Sequence, residues 1–281
     1  MLARASVRGL TIALGVLALA PAPAFGALVG FNDDRGAWQE HADEAREIGA
    51  SVARVPIGWN VHPSTFSEVN RELEEQGLRP LICLWWVDLP TPGAYAAAVE
   101  AWARAYPRAI IQLGNEMNHP ARPADPPARI VEVLNAAVRV TPESTQLVGP
   151  GLTPLDGRAP PPAYKAYARA IYSPLLDRVQ PALHVYPYSG HPRRTTRRFW
   201  RVLRPHGPVW VTETGAFGAV YGDRQAEVSA RLSDTLVSWG ARAVVFHRLA
   251  PATELVQWEL DASMSVVDDP ALAAALALAW R

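Results

Sequence analysis

The stretch AIIQLGNEMN (109–118) runs from apolar side chains straight into two amides and a carboxylate, Asn115, Glu116 and Asn118, with Gly114 at the junction. An apolar run of this length closed by a turn residue suits a buried strand. A strand that ends by setting an amide beside a carboxylate either caps the next helix or holds something, and the rest of the chain bears on which. Seven more runs share its character: LVGFN (28–32), SVARVPI (51–57), PLICLWWV (80–87), TQLVGP (145–150), ALHVYP (182–187), PVWVTE (208–213) and RAVVFH (242–247). Segments with the 3.6-residue helical period separate them. Trp38, Ala42, Ala45 and Ile48 recur on one face before Gly49, where a left-handed cap is expected. A second pattern opens at Asp125 and Pro126 and carries Ile130, Val131, Leu134 and Val138. A third presents Val228, Leu232, Leu236 and Trp239 before Gly240. Continuous apolar strands alternating with helices point to a parallel sheet covered by helices. Eight such units predict closure into an α/β fold of the (β/α)8 barrel (TIM barrel) type. An open doubly wound sheet is the competing arrangement, but GFNDDRG after the first strand lacks the G-x-G-x-x-G spacing of its phosphate loop.

The chain has 281 residues and opens MLARASVRGLTIALGVLALAPAPAFGA. Two arginines, an apolar run of about a dozen residues and small residues ending in Ala-Pro-Ala make the three-part pattern of a secretory signal, too short in its core to span a bilayer. Residues 1–26 are therefore read as a signal peptide, and 27–281 as one domain of about 255 residues, a typical length for a single α/β barrel. The expected location is secreted or periplasmic. Formal net charge is zero and Lys165 is the only lysine. That balance suggests neither a nucleic-acid partner nor stable association with an anionic membrane. Cys83 is the single cysteine and sits in an apolar run, which reads as a buried structural thiol and leaves no disulfide, Cys-based zinc site or haem motif. Ten tryptophans suit either a core or a surface that stacks on sugar faces.

In a barrel of this kind the functional face is built from the C-terminal strand ends and the loops after them. Polar and aromatic residues collect there: Asn32, Asp33 and Asp34 at the first strand, Arg54, Trp59 and Asn60 at the second, Trp85, Trp86 and Asp88 at the third. Asn115 and Glu116 follow at the fourth, His184, Tyr186 and Tyr188 at the sixth, Glu213 at the seventh and His247 at the eighth. Two carboxylates facing across a pocket are what glycosidic bond cleavage requires, one to protonate the leaving oxygen and one to act at the anomeric carbon. Their environments must differ, because one has to carry a proton while the other stays ionised. Arg54 is placed to keep one of them ionised.

The ordered set of motifs resembles the clan A glycoside hydrolases, retaining enzymes on a (β/α)8 barrel with a catalytic Glu on strands four and seven. The resemblance rests on GNEMN after strand four, VTETG at strand seven, the Arg of VARVP on strand two, HVYPYSG on strand six, and VVFHRL with the later WELDASMSVVDDPALAAAL in the tail. It spans the whole mature chain. It implies Glu116 as general acid/base, Glu213 as nucleophile, and Asn115 as the partner of the sugar 2-hydroxyl. Arg54 and Tyr186 would hold Glu213, and His184 would line the same wall. Clan members often place a Trp from strand eight beneath the sugar. Here Phe246 and His247 stand at that point, and Trp258 in the following loop is the candidate replacement.

Other readings accompany these. Glu116 and Asn115 would serve equally as loop satisfiers, and Arg54 would pair with Asp33 or Asp34 as well as with Glu213. Trp85 and Trp86 point to opposite sides of a strand, so one faces the cleft and the other the helices. RRTTRR (193–198) is either the solvated start of a helix or a contact for an acidic polysaccharide. No close H-x-H or H-E-x-x-H spacing marks a metal, and the arginine among the carboxylates opposes a cation. The expected activity is cofactor-free hydrolysis of a β-linked polysaccharide or oligosaccharide, endo-acting because the connections are short and leave an open groove. The competing functions are a non-catalytic carbohydrate-binding barrel and an envelope enzyme that trims an exopolysaccharide during export.

Overall fold

The computed structural model describes residues 26–118, 125–153, 161–186, 192–249 and 265–280, with side chains throughout except at 161–164, 192–196 and 218–219. Eight strands are all parallel and closed in sequence order: β1 (Leu28–Asn32), β2 (Val52–Gly58), β3 (Arg79–Trp85), β4 (Ile110–Leu113), β5 (Gln146–Leu152), β6 (Val179–Val185), β7 (Trp210–Thr214) and β8 (Ala243–Phe246). β8 pairs back onto β1, Val29 opposite Val244 and Phe31 opposite Phe246. Around them lie α1 (Arg35–Ile48), α2 (Ser67–Glu75), α3 (Pro92–Ala105), α4 (Pro127–Val140), α5 (Pro161–Tyr172), α6 (Pro192–Leu203), α7 (Gly218–Tyr221), α8 (Gln225–Ser238) and α9 (Pro270–Ala279). The doubly wound alternative is thereby excluded. No helix among the described residues is long and apolar enough to cross a membrane.

The helices form where the apolar period and caps place them. In α1 the Asp34 side chain accepts the Ala37 N–H, Trp38, Ala42 and Ala45 are buried, and Gly49 closes the helix at φ 111°. α4 starts just after Pro126 and buries Ile130, Val131, Leu134 and Val138. α8 buries Val228, Leu232 and Leu236 and ends before Gly240, at φ 82°.

Strand alternation divides the apolar side chains between two cores. Val52, Leu81, Ile110, Val148, Ala182, Trp210 and Ala243, one from each of β2 to β8, meet in a single cluster inside the barrel. Their neighbours in sequence, such as Ala53, Ile82, Ile111 and Val211, pack outward with Trp38, Leu73, Val99 and Leu236 of the helices. Two residues beyond the inner apolar layer, β2, β3, β4 and β6 carry Arg54, Cys83, Gln112 and His184, all wholly buried. The barrel interior thus changes from apolar to polar along its axis, and the polar end is the mouth.

Most strand limits shift slightly from the sequence expectation, β6 for example starting at Val179 rather than Ala182, and two of the shifts bear on the site. β3 stops at Trp85 rather than running on through Val87. β4 stops at Leu113 because Gly114 turns the chain at φ 86°, and a Cβ there would run into the Met117 methyl and crowd Trp86. The turn delivers Glu116 in a left-handed conformation, φ 46°, which non-glycine residues adopt rarely and mostly where the surroundings enforce it.

Candidate active site

Arg54 is the hub of the mouth. It is fully buried, and its guanidinium donates Nε–H to Gln112 Oε1 (2.7 Å), Nη1–H to Asn32 Oδ1 and Glu213 Oε1 (2.6 Å to the latter), and Nη2–H to Asn115 Oδ1 (2.7 Å). Four strands are therefore tied through one side chain. A buried guanidinium needs such a set, since an unpaired charge in the interior is prohibitive. The expected alternative, Arg54 paired with Asp33 or Asp34, does not occur. Asp33 instead accepts the backbone N–H of Asp34 and Leu249, each at 2.8 Å, and lies 3.6 Å from Arg248, while Asp34 caps α1.

Glu213, 7 % exposed, receives the Tyr186 hydroxyl on Oε2 at 2.8 Å opposite the Arg54 contact on Oε1. His184 Nδ1 lies 2.7 Å from Glu116 Oε1 and 3.3 Å from Glu213 Oε2, within reach of both carboxyls. His247 Nδ1 lies 3.5 Å from Glu213 Oε2 and 3.2 Å from Asn32 Nδ2, with its ring edge-on to Tyr186. One oxygen of Glu116, one of Glu213 and one nitrogen of His184 all fall within 4.8 Å of one another. Such a trio resembles a metal ligand set, but the donor chemistry does not suit one: Glu213 already carries a buried guanidinium 2.6 Å away, and a divalent ion would have to sit beside that positive charge.

Electrostatics keep Glu213 ionised. Burial pushes the Glu213 carboxyl up, yet His184, Arg54 and His247 together outweigh it and hold the group well below the usual carboxylate range. Its folded-state pKa is thus depressed, so the stability it contributes is present above the unfolded value of about 4.3 and is lost as pH falls through the folded one. The difference in urea midpoint between wild type and Glu213→Gln is expected to be large at pH 6 and to shrink on acidification below about pH 4. A difference that stays constant down to pH 2 would contradict this. Cys83, beside Arg54, is the reverse case: burial pushes its thiol up to about 11, so it is no nucleophile at neutral pH.

Gly151 makes room for the cluster. Its carbonyl accepts the Glu116 N–H at 2.8 Å and it bridges to Asn115, while a Cβ on it would run into His184 Nε2 and approach Thr212 Oγ1 at 3.0 Å. Gly151→Ala is expected to displace His184 from both carboxyls and to cost about 1–3 kcal/mol of stability by overpacking. A urea titration together with a rate assay checks this, and an unchanged midpoint would show that the wall yields freely.

Of the residues expected at the site, Arg54, Asn115, Glu116, His184, Tyr186, Glu213 and His247 converge. Trp85 is half-buried on the strand face it shares with Cys83. Trp86 is buried on the opposite side, edge-on to Tyr95 with its indole N–H on Asp125. Trp59 is half-buried against the outer core and Tyr95. Asn60 and Asp88 are exposed, and Asn118 latches the next loop by exchanging hydrogen bonds with Thr153 backbone. Phe246 packs outward on Trp280, leaving His247 at the strand-eight position. Trp258, His119 and Tyr188 lie outside the described residues. Two site residues went unassigned in the sequence reading: Gln112, and Asn32 as an arginine partner. A glutamine two positions from Ile110 in a buried strand was the available signal, since a buried amide needs partners.

No family model matches the chain, and no curated protein sequence matches it. Solved structures do. A tri-modular GH5 (subfamily 4) endo-β-1,4-glucanase from Bacillus licheniformis superposes with a TM-score of 0.64 at 14% identity, covering 91% of this chain and 60% of that one. Thermotoga maritima Cel5A, solved with mannotriose, gives 0.59 at 13% identity over 88% and 96%. The chain has the fold of these endoglucanase barrels. A GH5 xyloglucan-specific endo-β-1,4-glucanase from a metagenomic library, solved with cellotriose, gives 0.58 at 16% identity over 85% and 87%. At such identities the likeness belongs to the backbone, and the chemistry of this barrel rests on its own side chains.

Proposed function

We propose that the protein is a retaining, endo-acting glycoside hydrolase of the clan A type, exported by its N-terminal signal and acting on a β-linked polysaccharide. The observation that carries this reading is the close pair of unlike acids, Glu116 and Glu213, with oxygens within 4.8 Å and only Glu213 braced by Arg54 and Tyr186. Retaining pairs of carboxyl groups stand about 5–5.5 Å apart and inverting pairs about 6.5–9.5 Å, and the approach of one oxygen of each acid to within 4.8 Å favours the closer, retaining arrangement. Glu213 attacks the anomeric carbon while Glu116 protonates the departing glycosidic oxygen, forming a glycosyl ester on Glu213. Glu116, now a carboxylate, takes a proton from water, whose oxygen displaces Glu213 and restores the original anomeric configuration. Asn115 keeps its carbonyl on Arg54, which turns its amide NH2 away from the arginine and suits it to donate to the sugar 2-hydroxyl.

Two of these structural neighbours are described as endo-β-1,4-glucanases, one of them xyloglucan-specific and holding cellotriose, and the third holds mannotriose, which makes a β-1,4-linked backbone the first substrate class to try. The test is a panel of β-glucan, xyloglucan, mannan, xylan and bacterial exopolysaccharide. Reducing ends measure turnover, and NMR of the first-formed anomer reads stereochemistry. Retained configuration with mid-chain cuts is expected. An inverted first product overturns the mechanism, and tight saccharide binding without any release overturns the activity in favour of a binding barrel.

A further inference from the structure

The neutral formal charge conceals a strong segregation. α1 and α2 together hold eight acidic residues, among them Glu40, Glu44, Glu72 and Glu75, against three arginines. On the other flank, α5 and α6 hold Lys165 and Arg169, then Arg193, Arg194, Arg197, Arg198 and Arg201, with no Asp or Glu in either. Four surface arginines on other helices have acidic partners one helical turn away, in Arg71–Glu75, Arg104–Glu100, Arg129–Glu132 and Arg231–Glu227. Between α5 and α6 lies a groove of about 400 Å³ whose lining includes Lys165, Arg169, Arg198, Arg201 and His206. Among the described residues none of its four permanent cations forms an ion pair or hydrogen bond.

We propose that this groove is a second carbohydrate site, taking a glycan chain that bears carboxylates, through Arg169, Arg198, Arg201 and Lys165. Lys165 and Arg169 stand four residues apart on one helix, and Arg198 and Arg201 three apart on the other. The two pairs therefore rise about 6 Å and about 4.5 Å along their helices, a spacing close to one sugar residue of an extended chain. Guanidinium forks match carboxylates bidentately, and Ser173 and His206 line the same groove as partners for hydroxyls. The concave shape takes a chain in preference to a flat bilayer, and none of the large exposed apolar side chains among the described residues lines it to anchor a membrane. Because α5 and α6 lead away from the ends of β5 and β6, the groove lies on the barrel flank rather than in the mouth, and its occupancy does not depend on the hydrolase reading.

The experiment is calorimetric titration of the wild-type protein with α-1,4-linked hexagalacturonate, a chain the proposed β-specific cleft does not cut. Cellohexaose and inorganic phosphate are titrated alongside, and the double variant Arg169→Gln, Arg201→Gln is compared after its thermal midpoint is matched to wild type. One hexagalacturonate per chain is expected, weakening about tenfold or more in the variant and with added salt, while cellohexaose binding is unchanged. Hexagalacturonate affinity unaltered by the variant overturns the proposal. So does displacement by phosphate at equal concentration, which marks a generic anion site. Salt-sensitive self-association lost in the variant, with no glycan bound, assigns the basic flank to a second copy's acidic one and also overturns it.

Discussion

Glu213→Ala is expected to lower the hydrolytic rate by on the order of 10⁴-fold or more, the scale on which loss of a covalent nucleophile acts. Among the described residues at the mouth, Glu116 is engaged with His184 and Cys83 is held as a thiol by burial, so neither replaces it. The truncation also opens a space at the anomeric carbon. Azide added to the variant should enter it, form the carbon–nitrogen bond directly, and expel the glycosidic oxygen as Glu116 protonates it. The product is then a glycosyl azide of inverted configuration, whereas the proposed wild-type mechanism retains. Reducing-end release and NMR of the azide adduct read both effects. A variant within tenfold of wild type would remove Glu213 from the mechanism.

Arg54→Met should be the most destabilising single change at the mouth, by about 3–5 kcal/mol. Methionine fills much of the volume, so the loss comes from what is stranded: the Glu213 carboxylate without its cation, and the acceptors on Asn32, Gln112 and Asn115 without their donor. Arg54→Lys keeps the charge but gathers its three donors on one nitrogen in place of a planar fork that spans four partners, and should recover only part of the loss. Urea unfolding measures both. Any Arg54→Met protein that folds should show the acid limb of its pH–rate profile moved upward, because a cation that holds the Glu213 carboxyl down has gone. A loss under about 1 kcal/mol would mean that solvent replaces the arginine at little cost.

The fold was open to reading because a buried parallel strand declares itself locally. Runs such as LVGFN and AIIQL need no knowledge of their neighbours to be recognised, and Gly49 and Gly240 mark helix ends by a backbone conformation that other residues resist. The two acids were legible for a related reason: Glu116 and Glu213 each follow an apolar run, and barrel geometry brings such positions to one rim. Directions were harder. Trp85 and Trp86 are adjacent, and only the strand's phase relative to Cys83 assigns one to the mouth and the other to Tyr95.

Sequence alone determined the parallel barrel, its eight units and the end at which polar chemistry collects, because period, capping and apolar runs are properties of neighbouring residues. Tertiary structure alone decided the pairings. Arg54 turned to Glu213, Asn32, Gln112 and Asn115 instead of Asp33 or Asp34, and Asn118 was drawn to a loop backbone instead of the mouth. Those choices depend on strand register and the closure of β8 onto β1, which set distances between groups tens to hundreds of residues apart and leave no trace in any local pattern.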